Sequence, residues 1–100
     1  MSVNLQVTIE TKAEGRIAFV NFKEVPLSST GTGGAIVELG QGCVLQWGIV
    51  GTPGTTYKIT LKPETGKLKI EGQHPISLQV AQGHIRSAGT RRFSVVAGGA

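Results

Sequence analysis

Apolar and polar residues alternate with a period of two along most of this chain, and turn residues interrupt the alternation at intervals of about ten residues. The clearest segment sets Val3, Leu5, Val7 and Ile9 against Asn4, Gln6, Thr8 and Glu10. Because successive side chains of a β-strand point to opposite faces, this pattern predicts a strand with one buried and one solvated face. Helical periodicity is absent from every window of the sequence, so the chain is predicted to be all-β.

Two segments are apolar at both odd and even positions, and they predict strands that are covered on both faces. They span residues 16–22 and 43–50. In the second segment, alternation places four residues on one face, namely Cys43, Leu45, Trp47 and Ile49. Shorter strands are predicted over residues 35–39, 76–80 and 92–96.

The strongest local prediction is a β-hairpin over residues 56–71. Tyr57, Ile59 and Leu61 alternate with polar residues, and Leu68 and Ile70 do so after the turn. The turn is 63–66, Pro-Glu-Thr-Gly, with proline early and glycine late, as turn geometry favours. If the five apolar side chains point inward, four lysines share the outward face of the hairpin: Lys58, Lys62, Lys67 and Lys69.

Eight or nine short strands joined by turns predict an antiparallel β-sandwich with an immunoglobulin-like or jelly-roll-like architecture, and a small β-barrel is the alternative. A length of 100 residues predicts one domain over residues 1–100. Membership of the immunoglobulin fold itself is not predicted. Trp47 and Tyr57 lie too close together in the sequence to be the core tryptophan and corner tyrosine of that fold.

Composition argues against an enzyme. All six acidic residues are Glu, which excludes calcium loops and phosphotransfer sites built on Asp. Cys43, His74 and His84 are the only Cys and His residues, and their spacing does not suggest a zinc site, so we expect no metal and no cofactor. Cys43 opens an apolar strand without a basic neighbour, which predicts a buried structural thiol. His74 precedes Pro75 in a turn, where an exposed imidazole is expected.

The single cysteine excludes an intramolecular disulfide. The first residues lack the basic and apolar regions of a signal peptide, and we expect a cytoplasmic protein or part of an assembly released from the cytoplasm. Glycines and a proline interrupt the longest uncharged stretch, so no membrane span is predicted.

Two polar features are candidate binding elements. Residues 28–34 form a Ser/Thr/Gly-rich loop, but neither a helix nor a Walker lysine follows it, so we interpret it as a flexible connection. The net charge of +4 permits an anionic partner, and the lysines of the hairpin are the best candidate surface. Lysines also protect edge strands against aggregation, and this structural interpretation is favoured. Arg86, Arg91 and Arg92 form a second basic cluster.

Three functional hypotheses follow. The first is a non-enzymatic structural or protein-interaction module, such as a capsid-decorating or scaffold-type subunit or an accessory domain, whose partner is a protein or a second copy. The second is a carbohydrate-binding module, which requires an exposed aromatic ring at Trp47 or Tyr57. The third is a weak nucleic-acid binder that uses Lys58, Lys62, Lys67 and Lys69. Aromatic stacking platforms are scarce, which disfavours the third.

Overall fold

The computed structural model describes residues 2–64, 67–72 and 76–98, which form nine β-strands and no helix. The all-β prediction is confirmed. In chain order the strands are β1 (Ser2–Thr11), β2 (Gly15–Val20), β3 (Lys23–Val25), β4 (Thr32–Glu38), β5 (Gly42–Val50), β6 (Thr56–Pro63), β7 (Leu68–Gly72), β8 (Ile76–Gln79) and β9 (Arg86–Ala97).

The strands form two antiparallel sheets, so the predicted sandwich architecture is confirmed. Sheet A has the order β4-β1-β6-β8, and sheet B has the order β3-β2-β5-β9-β7. Apolar side chains fill the space between the sheets, as expected when one face of each sheet is hydrophobic. The buried side chains are those of Val3, Leu5, Val7, Ile9, Ala18, Val20, Val25, Val37, Cys43, Leu45, Trp47, Ile49, Tyr57, Ile59, Leu61, Ile76, Val80, Phe93 and Val95.

The alternating pattern correctly identifies the inward residues of β1, β5 and β6. Burial alternates strictly along β5, where Cys43, Leu45, Trp47 and Ile49 are all buried. Each fully buried aliphatic side chain of this kind contributes about 1.5–3 kcal/mol to folding. The thiol of Cys43 is buried, as predicted, and lies 3.5 Å from the carbonyl oxygen of Gln41.

The predicted hairpin over residues 56–71 is wrong. β6 pairs with β1 and β8 in sheet A, whereas β7 pairs with β9 in sheet B. The connection between β6 and β7 therefore crosses from one sheet to the other. Alternation indicates which side chains of a strand face the core. The same alternation occurs when two consecutive strands pair as a hairpin and when they lie in different sheets.

The single strand predicted over residues 16–22 is shorter in the structure, because its last two residues form a turn. β2 ends at Val20, Asn21 and Phe22 form the turn, and β3 returns with Lys23 opposite Val20. The strand predicted over residues 92–96 is longer in the structure, where β9 spans Arg86–Ala97. β4 also begins at Thr32, inside the predicted loop.

The rest of the loop is joined to the neighbouring strands by hydrogen bonds, which a flexible connection would not require. Arg16 donates from Nη2 to the carbonyl oxygen of Ser29 at 2.6 Å. The amide of Gly31 donates to Ser28 at 2.8 Å, and its carbonyl oxygen accepts from the amide of Ile9 at 2.8 Å. These contacts fasten the loop to both β1 and β2.

Candidate interaction surface

The two sheets present outer faces of different chemistry. On sheet A, the outward positions of the central strands β1 and β6 are polar and are exposed or half-exposed. They are Asn4, Gln6, Thr8, Glu10, Thr56, Lys58, Thr60 and Lys62. Ile36 on the edge strand β4 is an exposed apolar side chain, 72% exposed, opposite Asn4. This face is a solvated surface of the usual kind, where single exposed apolar residues are common.

The outer face of sheet B has no charged side chain on its two neighbouring strands β2 and β5. We define this face by the outward residues Ile17, Phe19, Val44, Gln46, Gly48, Val50, Ala88 and Thr90. Arg86 and Arg92 on β9 flank it, opposite Val50 and Val44 respectively.

Both faces of β2 and β5 were expected to be covered, and this expectation is wrong for the outer face. Ile17 remains 40% exposed and Val50 42% exposed, while Phe19 and Val44 are half-buried. The residues that the structure describes thus leave an apolar strip on sheet B partly open to solvent. A contiguous apolar strip on a sheet face is a recognised feature of protein-interaction sites.

A shallow depression of about 430 Å³ lies in the middle of the outer face of sheet B. It arises because Gly48 and Ala88, which pair across β5 and β9, have little or no side chain. The lining includes the neighbouring residues Ile17, Phe19, Gln46 and Thr90. The depression is therefore walled by apolar side chains on the β2 side and by Gln46 and Thr90 elsewhere, and Trp47 and Gly89 also contribute to its lining.

The turn between β2 and β3 presents an aromatic ring to solvent. Asn21 and Phe22 have φ angles of 51° and 66°, the left-handed pair of a two-residue hairpin turn. Glycine and asparagine favour such angles, whereas a bulky residue there carries backbone strain of about 1–2 kcal/mol. Phe22 is 74% exposed. Burial of its ring therefore does not offset this strain in the isolated domain.

Two hydrogen bonds hold this turn against β5. The amide of Asn21 donates to the carbonyl oxygen of Val44 at 2.9 Å, and the side-chain Oδ1 of Asn21 accepts from the amide of Val44 at 3.0 Å. The turn is consequently a defined structure that presents Phe22 at one end of sheet B. The apolar pattern predicts Phe22 inside a strand, although the asparagine before it is a turn signal.

Trp47 and Tyr57 are 3% and 2% exposed, so neither offers a ring to a ligand. Trp47 on β5 donates from Nε1 to the hydroxyl of Tyr57 on β6 at 3.0 Å. The hydroxyl of Tyr57 also shares a 2.7 Å hydrogen bond with Ser87 on β9. The polar ends of both aromatic residues are satisfied within the core, and the residues link the two sheets.

The four lysines do not form one surface. Lys58 and Lys62 lie on the outer face of sheet A, where Lys58 is opposite Glu10 of β1 in the strand register. Lys69 lies on β7 in sheet B, and Lys67 immediately precedes that strand. The shared face inferred from the hairpin is therefore wrong, because the two strands belong to different sheets.

The remaining candidates give no reactive centre in the residues described. Within residues 2–64, 67–72 and 76–98, no three His, Cys, Asp or Glu side chains are grouped so as to hold a metal ion. His84 is exposed in a turn, and the prediction for His74 lies outside the described residues. No helix suited by length and apolarity to crossing a membrane occurs in the described part of the chain.

Comparisons with known protein families, with curated proteins and with solved structures find no match to this chain. The residues that bear on function are therefore those of the chain itself, above all the outer face of sheet B and the turn that carries Phe22.

Proposed function

We propose that this domain is a non-enzymatic protein-interaction module, a subunit or accessory domain of a larger assembly, that docks through the outer face of sheet B. The observation that carries the proposal is the contrast between the two outer faces. The central strands of sheet A expose polar and charged residues, whereas β2 and β5 present Ile17, Phe19, Val44 and Val50. In a strand with one solvated face, the outward residues are usually polar, whereas most of the outward residues of β2 and β5 are apolar.

The dimensions of the face suit such a role. The five strands of sheet B differ in length, from three residues in β3 to twelve in β9. With about 3.3 Å per residue and about 4.8 Å between strands, its outer face covers roughly 550 Å². This area is above the lower bound of about 500 Å² on each partner for a specific protein interface. The apolar side chains of β2 and β5, with the charged residues Arg86 and Arg92 beside them on β9, also resemble the usual division into interface core and rim.

The two other hypotheses lose the observations that motivated them. The carbohydrate-binding hypothesis required an exposed ring at Trp47 or Tyr57, and both rings are buried. The nucleic-acid hypothesis required one lysine face, and the lysines are divided between the sheets. The interaction module remains the function with direct support from exposed residues.

The test uses a matched pair of glutamines, one on the central strand of each outer face. Gln46 lies on β5 and Gln6 on β1. A photo-crosslinking amino acid is introduced at either position, and the full chain is irradiated in the cells that produce it. We expect covalent protein adducts from position 46 and few from position 6, with mass spectrometry identifying the partner. Equal yields, or no adduct from position 46, would overturn the proposal.

A further inference from the structure

We propose that the partner is a second copy of this chain, and that Phe22 of one copy occupies the depression over Gly48 and Ala88 of another. This inference rests on the proposed function, because it names the occupant of the outer face of sheet B. Its basis is that one chain carries both an exposed aromatic ring in a strained turn and a partly apolar depression on the outer face of sheet B.

The ring has the properties of an interface anchor. Phe22 is 74% exposed and adopts a left-handed φ of 66°, which disfavours a bulky side chain. Strained residues that the surrounding structure holds in place are concentrated at functional sites. Here Asn21 holds the turn through two hydrogen bonds to Val44. Aromatic residues, phenylalanine among them, are enriched in protein interfaces relative to the rest of the surface.

The depression has the properties of a receptor for that ring. The depression has a volume of about 430 Å³ and is open to solvent, so one phenyl ring can lie in it against the sheet. Ile17 and Phe19 wall one side, where Phe19 provides an aromatic neighbour. Ring pairs of this kind add stabilisation beyond the area that they bury.

The margins of the two elements carry opposite charges. Glu24 follows Phe22 by two residues and is exposed on the outer side of β3, opposite Phe19. Arg86 precedes Ala88 by two residues and is exposed on β9. With the ring over Ala88, the carboxylate of Glu24 on one copy and the guanidinium of Arg86 on the other are opposite charges within the same proposed interface. Such complementarity fixes orientation and raises the association rate more than it raises affinity.

The contact joins two different surfaces, so its geometry determines the assembly that forms. Two copies that exchange rings about a twofold axis form a closed dimer. Copies that join without such an axis continue into a ring or a filament. Both outcomes use the same contact between Phe22 and the depression.

The test is a complementation experiment with two variants of the full chain. Phe22→Gly removes the ring but keeps the depression, and Ala88→Gln fills the depression but keeps the ring. We expect the wild type to self-associate in analytical ultracentrifugation, and each variant alone to associate more weakly by at least about 30-fold. An equimolar mixture regains a complex limited to one copy of each variant. Ile36→Ala, which removes an equally exposed apolar side chain from sheet A, leaves association unchanged.

A variant Phe22→Gly that associates like the wild type would overturn the inference, as would a mixture of variants that stays monomeric. A wild type that is monomeric at all concentrations would also overturn it. The crosslinking test at position 46 shows whether the docking face binds a protein at all, independently of whether that protein is a second copy. An adduct with a different protein supports the docking face while excluding the second copy as its occupant.

Discussion

The indole Nε1 of Trp47 lies 3.0 Å from the hydroxyl oxygen of Tyr57, and this hydrogen bond joins sheet B to sheet A inside the core. Both residues are almost completely buried. A buried donor that loses its acceptor cannot form a hydrogen bond to water instead, so loss of this bond costs the full desolvation penalty of the donor.

Tyr57→Phe is therefore expected to lower the free energy of unfolding by about 1–3 kcal/mol, because it leaves the Trp47 donor buried and unsatisfied. Urea denaturation followed by circular dichroism measures the loss. Ser87→Ala is the matched control, since it removes the second partner of the Tyr57 hydroxyl while keeping the acceptor of Trp47. Equal losses in the two variants would contradict this role for Tyr57.

Gly89→Ala tests the packing of Trp47 against β9. A Cβ at position 89 would lie 2.3 Å from Cζ2 of Trp47, far inside contact distance. We expect a destabilisation of about 1–3 kcal/mol from overpacking and a shift in tryptophan fluorescence. Gly42→Ala is the control, because its Cβ would meet nothing within 4 Å. A fluorescence spectrum and a stability that match those of Gly42→Ala would count against the contact.

Gly31→Ala and Gly40→Ala separate backbone strain from steric conflict. Both glycines have left-handed φ angles, 83° and 80°. A Cβ at position 31 would lie 2.3 Å from the carbonyl oxygen of Ile9, whereas one at position 40 meets open space. Gly40→Ala should cost about 1–2 kcal/mol through strain alone. Gly31→Ala should cost clearly more in thermal denaturation, and similar losses would refute the tight packing of the loop.

Phe22→Gly is expected to stabilise the isolated domain by about 0.5–1 kcal/mol. The substitution relieves the left-handed strain, and the greater entropy of glycine in the unfolded chain offsets part of the gain. Asn21→Gly is the control, because asparagine tolerates these angles and its side chain bonds to Val44. We expect no gain from Asn21→Gly in denaturant titrations. A destabilising Phe22→Gly would mean that the ring contributes to packing.

Much of the fold follows from local sequence patterns. The inward set of β1 and β6 is correctly predicted, because period-two alternation is a local property that a buried sheet face requires. The assignment of β6 and β7 to different sheets is non-local. Pro63 at the end of β6 is compatible with a hairpin and with a connection that crosses to the other sheet, so this segment does not distinguish the two.

The candidate surface is less predictable, for a physical reason. The apolar character of Ile17 and Val50 does not indicate whether they pack against the same chain or against another molecule. The sequence therefore predicts that these strands are buried on both faces, but not what packs against the outer face. The pairing of Trp47 with Tyr57 likewise depends on how the two sheets are superposed, which the alternation within each strand does not report.

The order of strands in the two sheets has a consequence for how the chain reaches its native state. Sheet A contains the first, fourth, sixth and eighth strands, and sheet B contains the second, third, fifth, seventh and ninth. Neither sheet corresponds to a continuous piece of the chain, so neither can form early as a local unit. A topology dominated by such distant pairings folds slowly, in about milliseconds to seconds. Fragments that divide the chain at any connection separate strands that pair with each other, and should therefore fold only when recombined.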